Sequence, residues 1–144
     1  MVSNKYKGYV HIQIRRVKNG KKSCADYRRS KGYSRQIALS LAENGHDIAV
    51  NYHSDKNSAD EICKTAKENG VNALSFYANM GNVDEIKNMV FQVDQKFGKI
   101  DVLINNAGIS SEVYFLDATE EMFDQMTAID WKGVYFCSQF VAKR

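Results

Sequence analysis

Two tyrosine–lysine pairs have a spacing that could move protons. Tyr27 and Lys31 stand four residues apart in "YRRSK", and Tyr52 and Lys56 repeat the spacing in "YHSDK". A cation beside a phenol favours the phenolate and draws the hydroxyl towards proton transfer near neutral pH. The motif is short, so chance matches come easily, and neither pair is read as catalytic. A sharper candidate is "NNAG", residues 105–108. Its small residues let backbone approach a ligand, and its two asparagines can bridge backbone groups of neighbouring strands and hold the turn. A third is "SKGYS", residues 30–34, where Gly32 and Ser34 lead into a helical pattern whose first N–H groups could hold an anion. Cys24, Cys63 and Cys137 share no metal-ligand spacing with His11, His46 or His53. No metal site is expected, and the cysteines read as reduced thiols.

These residues need elements to position them, and the elements are legible from Gln36 onward. Ile37, Ala38, Leu41 and Ala42 recur at helical spacing, and Asn44-Gly45 closes that helix. A strand is predicted over 46–52, a helix over 57–70 and a strand over 73–79. A helix over 82–98 follows, with Val83, Ile86, Met89, Val90 and Val93 on one side, then a strand and turn over 100–108. A long helix is predicted over 119–144, with Thr119 as its N-cap and Glu120 and Glu121 in its first turn. Strands alternating with helices of this length predict parallel βαβ units and a sheet covered on both faces. Ligands of such folds sit beyond the carboxyl ends of the strands, which here are residues 27–34, 51–54, 79–81 and 105–110. Residues 9–17, "YVHIQIRRV", alternate with Val10, Ile12 and Ile14 on one face, and a hairpin with residues 21–27 is conceivable. A one-faced strand suits a sheet edge and not the doubly covered centre.

The bulk composition fits one soluble domain: 144 residues, 44% hydrophobic, 26% charged and a net charge of +3. The first 35 residues carry eleven lysines and arginines against Asp26 alone, which reads as a solvated basic arm more than as a nucleic-acid contact. With no long apolar run and a polar start, neither a membrane span nor a signal peptide is expected, and the expected location is the cytoplasm.

The stretches "SKGYSRQIALSLAENGHDIAVNY", "GKIDVLINNAGI" and "MTAIDWKGVYFCSQFVAKR" carry a resemblance. In order and spacing, residues 31–144 resemble the first half of a short-chain dehydrogenase/reductase, of the type of 3-oxoacyl carrier-protein and acetoacetyl-CoA reductases. The resemblance implies an α/β fold with a Rossmann-like, doubly wound parallel sheet, broken off after the long helix and with a doubtful first strand. Residues 30–144 would be a partial NAD(P)-binding domain, and residues 1–29 an irregular basic segment. The family's phosphate loop reads Thr-Gly-x-x-x-Gly-x-Gly. Aligned through Ser30, Lys31 and Gly32, only Gly32 survives. Ser34 stands at the last glycine, small enough to be tolerated and able to cap the helix, and Tyr27 stands at the threonine. Arg28 stands at the first glycine, where its side chain fills ground the pyrophosphate needs.

The family reading assigns further roles. Tyr52, followed by His53 and Ser54, stands where NAD enzymes usually place an Asp for the ribose 2′-hydroxyl, and Lys31 where NADP-preferring relatives often carry a base, so NADP(H) is favoured over NAD(H). Asn79 stands at an adenine-binding Asp, with an amide oxygen that can still accept. Asn106, Ala107 and Gly108 belong to the turn near the nicotinamide ribose. Asp130, in "AIDWKG", stands at the family's catalytic Asn, and the catalytic Ser and the Tyr-x-x-x-Lys pair are expected beyond residue 144. The full enzyme would reduce a small carbonyl, such as a 3-oxoacyl thioester, as a homo-oligomer, and this chain is not expected to act alone. Two other readings stay open: a nucleotide-binding module without catalysis, and an interaction fragment that docks through its long helix. Codons that fit Ser23–Arg29 spell Val-Val-Gln-Ile-Thr-Gly-Gly when read one base later, which is the family's first strand running into its loop. A shifted frame over residues 1–29 is therefore expected.

Overall fold

The computed structural model describes residues 11–14, 32–110 and 113–144. Three βα repeats run as the periodicity predicts: α1 (Tyr33–Glu43), β2 (Asp47–Tyr52), α2 (Lys56–Glu68), β3 (Ala73–Tyr77), α3 (Val83–Phe97) and β4 (Val102–Ile104). Local chemistry sets the helix ends. Asp55 caps α2 by accepting from the Ser58 N–H, and Asn82 caps α3 by accepting from Asp84 and Glu85. Gly98 ends α3 in the left-handed region at φ 78°.

β2, β3 and β4 run in one direction, and β2 pairs with β3 in parallel register from Ile48↔Ala73 to Tyr52↔Tyr77. The residues of β2 divide between two cores. Ile48 and Val50 join Ala38, Ala42, Ile62 and Ala66 beneath α1 and α2. Ala49 joins Ile86, Met89, Val90 and Val93 of α3 on the other face. The sheet is covered on both sides, as a doubly wound α/β sheet must be. Cys63 and Cys137 are buried one in each core, and burial pushes their thiols up to about 11 and about 12.

The strand β1 (His11–Ile14) corrects the edge placement expected of it. The sheet order is β3-β2-β1-β4, so β1 fills the centre. It runs antiparallel to both neighbours, with His11 opposite Val50 and Ile104, and Ile14 opposite Asp47. Without a strand there, β2 and β4 would each leave a row of backbone donors and acceptors unpaired inside the sheet, a larger penalty than reversed direction. Residues 11–14 thus share the sheet of the region that begins at residue 30. The hairpin considered with residues 21–27 lies outside the described residues.

The predicted long helix is one helical path in three parts. α4 (Glu120–Met126) opens on Thr119, which accepts from the Met122 N–H. A wider π-helical stretch, Thr127–Gly133, follows, and α5 (Val134–Ala142) completes the path. Cys137 of α5 is fully buried among the α3 residues, with Phe140 and Val141 beside it. Among the described residues no helix is long and apolar enough to cross a membrane.

Candidate functional site

Parallel β2, β3 and β4 bring their carboxyl ends to one edge, and α1 begins at that edge. In the order β3-β2-β1-β4 the chain turns from one flank of the sheet to the other between β1 and β4, where the crevice of such folds opens. Gly32 precedes α1 at φ 132°, a backbone conformation that side-chain-bearing residues rarely adopt. Among the described residues no side chain caps α1, unlike α2, α3 and α4, and no acid stands in its first turn. Its first N–H groups are therefore open to an anion. Ser30 and Lys31, with Tyr27 and Arg28, lie outside the described residues.

The expectation that Ser34 caps this helix is not met. Ser34 lies inside the first turn, 6% exposed, and its Oγ accepts from Nδ2 of Asn106 at 2.5 Å. The start of α1 is thereby fastened to the turn after β4. Asn105 does the same on the other face, donating to Ser138 Oγ of α5 at 3.1 Å, while its buried Oδ1 has no partner among the described residues. The two asparagines do hold the turn, but through hydroxyls of two helices, not through strand backbone. Ala107 is half-buried against the α3–α5 core. Beside it, Asp130 Oδ1 accepts from the Ile109 N–H at 3.0 Å, and a Cβ placed on Gly108 would stand 3.5 Å from the same oxygen. The π-helical stretch therefore supports the 105–109 turn from below; such stretches recur at functional sites.

Asn79 follows β3. Its Oδ1 already accepts from the Gly81 N–H at 2.9 Å, and its own N–H donates to Glu85 Oε2 at 2.8 Å. A ligand at this point meets the remaining lone pair or the Nδ2 donor. Tyr52 lies apart from this group, in an aromatic cluster at the ends of β2 and β3. Tyr77 meets Tyr52 edge-on and His53 at a tilt, both with ring centroids 5.9 Å apart. Lys56 gives its hydrogen bond to Asp60 and not to Tyr52. Its ammonium pairs with Asp60 at 2.5 Å, and Asp60 also accepts from Ser75 at 2.6 Å. The hydrogen bond to Asp60 raises the lysine pKa, and its counterpart lowers that of Asp60.

Sequence reasoning missed Asn51. It is 3% exposed, and its Nδ2 donates to the carbonyls of Ala78 at 3.0 Å and of Phe76 and Tyr52 at 3.3 Å. It ties the carboxyl ends of β2 and β3 together beneath the aromatic cluster. An asparagine late in an apolar strand was the available signal. Among the described residues no group of three or more His, Cys, Asp or Glu side chains could hold a metal ion.

Residues 29–144 match the family model described as short chain dehydrogenase. A 3-oxoacyl-(acyl-carrier-protein) reductase from Staphylococcus epidermidis is 39% identical over 112 residues, which cover 78% of this chain and 46% of that protein. The crystal structure of an acetoin dehydrogenase from Salmonella typhimurium superposes with a TM-score of 0.72 at 33% identity, over 78% of this chain and 46% of the other. A short chain dehydrogenase from Burkholderia cenocepacia in complex with NADP superposes with a TM-score of 0.73 at 29% identity, over 75% and 44%. The chain thus spans about half the length of the relatives it matches.

Proposed function

The chain belongs to the short chain dehydrogenase family, and from that membership we propose that it is the cofactor-binding portion of an NADP(H)-linked reductase. The substrate in this reading is a small carbonyl compound of the 3-oxoacyl thioester type. One observation carries the nucleotide reading: the uncapped start of α1 and the turn after β4 are fastened together at the crevice of the sheet. A dinucleotide needs those two walls, one for pyrophosphate and one for the nicotinamide ribose. Ser30, Gly32 and Ser34 would face the pyrophosphate side, Lys31 the 2′-position of the adenosine ribose, Asn79 the adenine, and Asn106, Ala107 and Gly108 the nicotinamide ribose.

NADP(H) is preferred over NAD(H) on charge. Tyr52, His53 and Ser54 offer no carboxylate at the end of β2, and Asp55 spends its carboxylate on the cap of α2. A carboxylate there would accept from a 2′-hydroxyl and repel a 2′-phosphate, and Lys31 supplies the opposite charge. The bound cofactor would supply hydride to the carbonyl carbon. Asp130 would hold water with whatever capacity its bond to Ile109 leaves. In the family the proton comes from a tyrosine beside a lysine, which neither Tyr27 nor Tyr52 replaces. The expected result is saturable enhancement of NADPH fluorescence in the high-micromolar range, about tenfold weaker binding of NADH, and no turnover by the 144-residue chain. No binding of either nucleotide at millimolar concentration would sink the reading.

A second reading, an interaction surface on the long helix, is favoured by exposure. Phe123, Trp131 and Tyr135 are 69%, 74% and 58% exposed along α4, the π-helical stretch and α5. Isolated apolar side chains are common on surfaces, and three large exposed aromatics along one helical path are what supports the docking reading. Gel filtration should then show self-association, or co-elution with a full-length relative. A monomer unchanged by that relative or by DNA would count against docking.

A further inference from the structure

Ser34 and Asn106 are 72 residues apart in sequence and share the 2.5 Å hydrogen bond that joins the two walls of the crevice. Ser34 is 94% buried, so its hydroxyl must find a partner inside the protein. Among the described residues it has neither a cap role on its own helix nor a bond to the sheet. Its hydrogen bond is with the side chain of the opposite wall. The family loop has glycine at this position, which could not make it, so the bond is a property of this chain.

We infer that Ser34 is a positioning residue for a dinucleotide. Its hydroxyl, latched to Asn106, presets the gap between the start of α1 and the 105–108 turn, so a ligand that spans both walls meets a fixed distance. A ligand that touches only one wall gains nothing from the latch. The inference takes its ligand from the nucleotide reading above; the latch itself can be tested without any ligand.

The experiment uses the full chain and the variants Ser34→Ala, Ser34→Gly, Asn106→Ala and the Ser34→Ala/Asn106→Ala pair. In thermal unfolding without ligand, each single change should lower the midpoint, and the double variant should fall no further than the worse single, as groups sharing one bond behave. Fully additive losses would overturn the latch. With ligand, Ser34→Ala should weaken NADPH about tenfold, while adenosine 2′,5′-bisphosphate, which lacks the nicotinamide half, should change less than about twofold. Equal weakening of both ligands would reduce Ser34 to a purely structural part and overturn the positioning role. Ser34→Gly binding NADPH as tightly as the parent chain, or more tightly, would also overturn it. If the parent chain binds neither ligand, the nucleotide reading falls and the positioning role with it, whereas the unfolding cycle still reports the latch.

Discussion

Gly133→Ala is expected to destabilise the chain by about 2–3 kcal/mol, although it adds one methyl group to a helix. Backbone freedom is not the reason glycine stands there, because Gly133 has ordinary helical angles of φ −61° and ψ −46°. Space is the reason. A Cβ at this position would stand 2.1 Å from the carbonyl oxygen of Met80, 3.1 Å from its carbonyl carbon and 3.2 Å from the carbonyl oxygen of Ala128. All three atoms are backbone, so no side-chain rotation relieves the contact. The helix or the loop after β3 must retreat by about 1 Å or more, and close-packed interiors resist such shifts. α5 cannot retreat freely, since Cys137 and Phe140 sit in the core with Ile86, Met89 and Val90. Alanine's better helix propensity returns only about 1 kcal/mol. Urea unfolding gives the sign directly, with Gly98→Ala as the comparison. Nothing lies within 4 Å of a Cβ on Gly98, and its cost is only that of the left-handed cap. A Gly133→Ala chain as stable as the parent would mean that the close approach to Met80 is not a constraint. The same shift would pull Asp130 from the Ile109 N–H, so any nucleotide affinity should fall with the stability.

That close approach marks what the sequence could and could not show. Helical spacing placed Ala38, Ala42, Ile86, Met89, Val90 and Val93 correctly, and all six are buried. Periodicity works there because the burial of a helix face is decided within a few turns of chain. The cap residues Thr119, Asn82 and Asp55 act within three residues of themselves, and Thr119 was legible for that reason. The Ser34–Asn106 bond, the three bonds of Asn51 and the Gly133–Met80 contact join distant segments. No local pattern encodes them. The π-helical stretch was missed because a single wide turn hardly disturbs a 3.6-residue period. The strand β1 was misplaced for a related reason. Its alternation describes a side-chain pattern, whereas its position is set by the unpaired edges of β2 and β4, which accept a strand in either direction. The turn 105–108 and its link to α1 come from the part of the chain where motif and fold agree. Before Gly32 the sequence departs from the family's loop pattern at Arg28.

The direction of β1 is the strongest lever on that loop. In a parallel arrangement, the strand between β2 and β4 would end at the carboxyl edge and hand the chain directly to Gly32 and α1. β1 ends instead opposite Asp47, the first residue of β2, and so leaves the sheet at the edge away from the crevice. Replacing Ser23–Arg29 by the shifted-frame residues, as S23V/C24V/A25Q/D26I/Y27T/R28G/R29G, should reverse this. Valine, valine and isoleucine suit a strand covered on both faces, and Thr-Gly-Gly restores at position 28 the glycine of the family's loop pattern. The new strand competes with His11–Ile14 for one slot and has the advantage of a short connection to α1, which costs little closure entropy. Two readouts are expected to move together. Amide hydrogens of residues 11–14, protected in the parent by pairing with β2 and β4, should exchange freely in the variant, and NADPH should bind at least about tenfold more tightly. The R28G/R29G variant separates the causes: it clears the loop without supplying a strand, so residues 11–14 should stay protected and the gain in affinity should be smaller. If R28G/R29G matches the sevenfold replacement in affinity, the arginines alone block the site and strand direction is immaterial. If the replacement leaves residues 11–14 protected and NADPH unbound, the reversed strand is the stable state of this sheet, and the nucleotide reading loses its simplest repair.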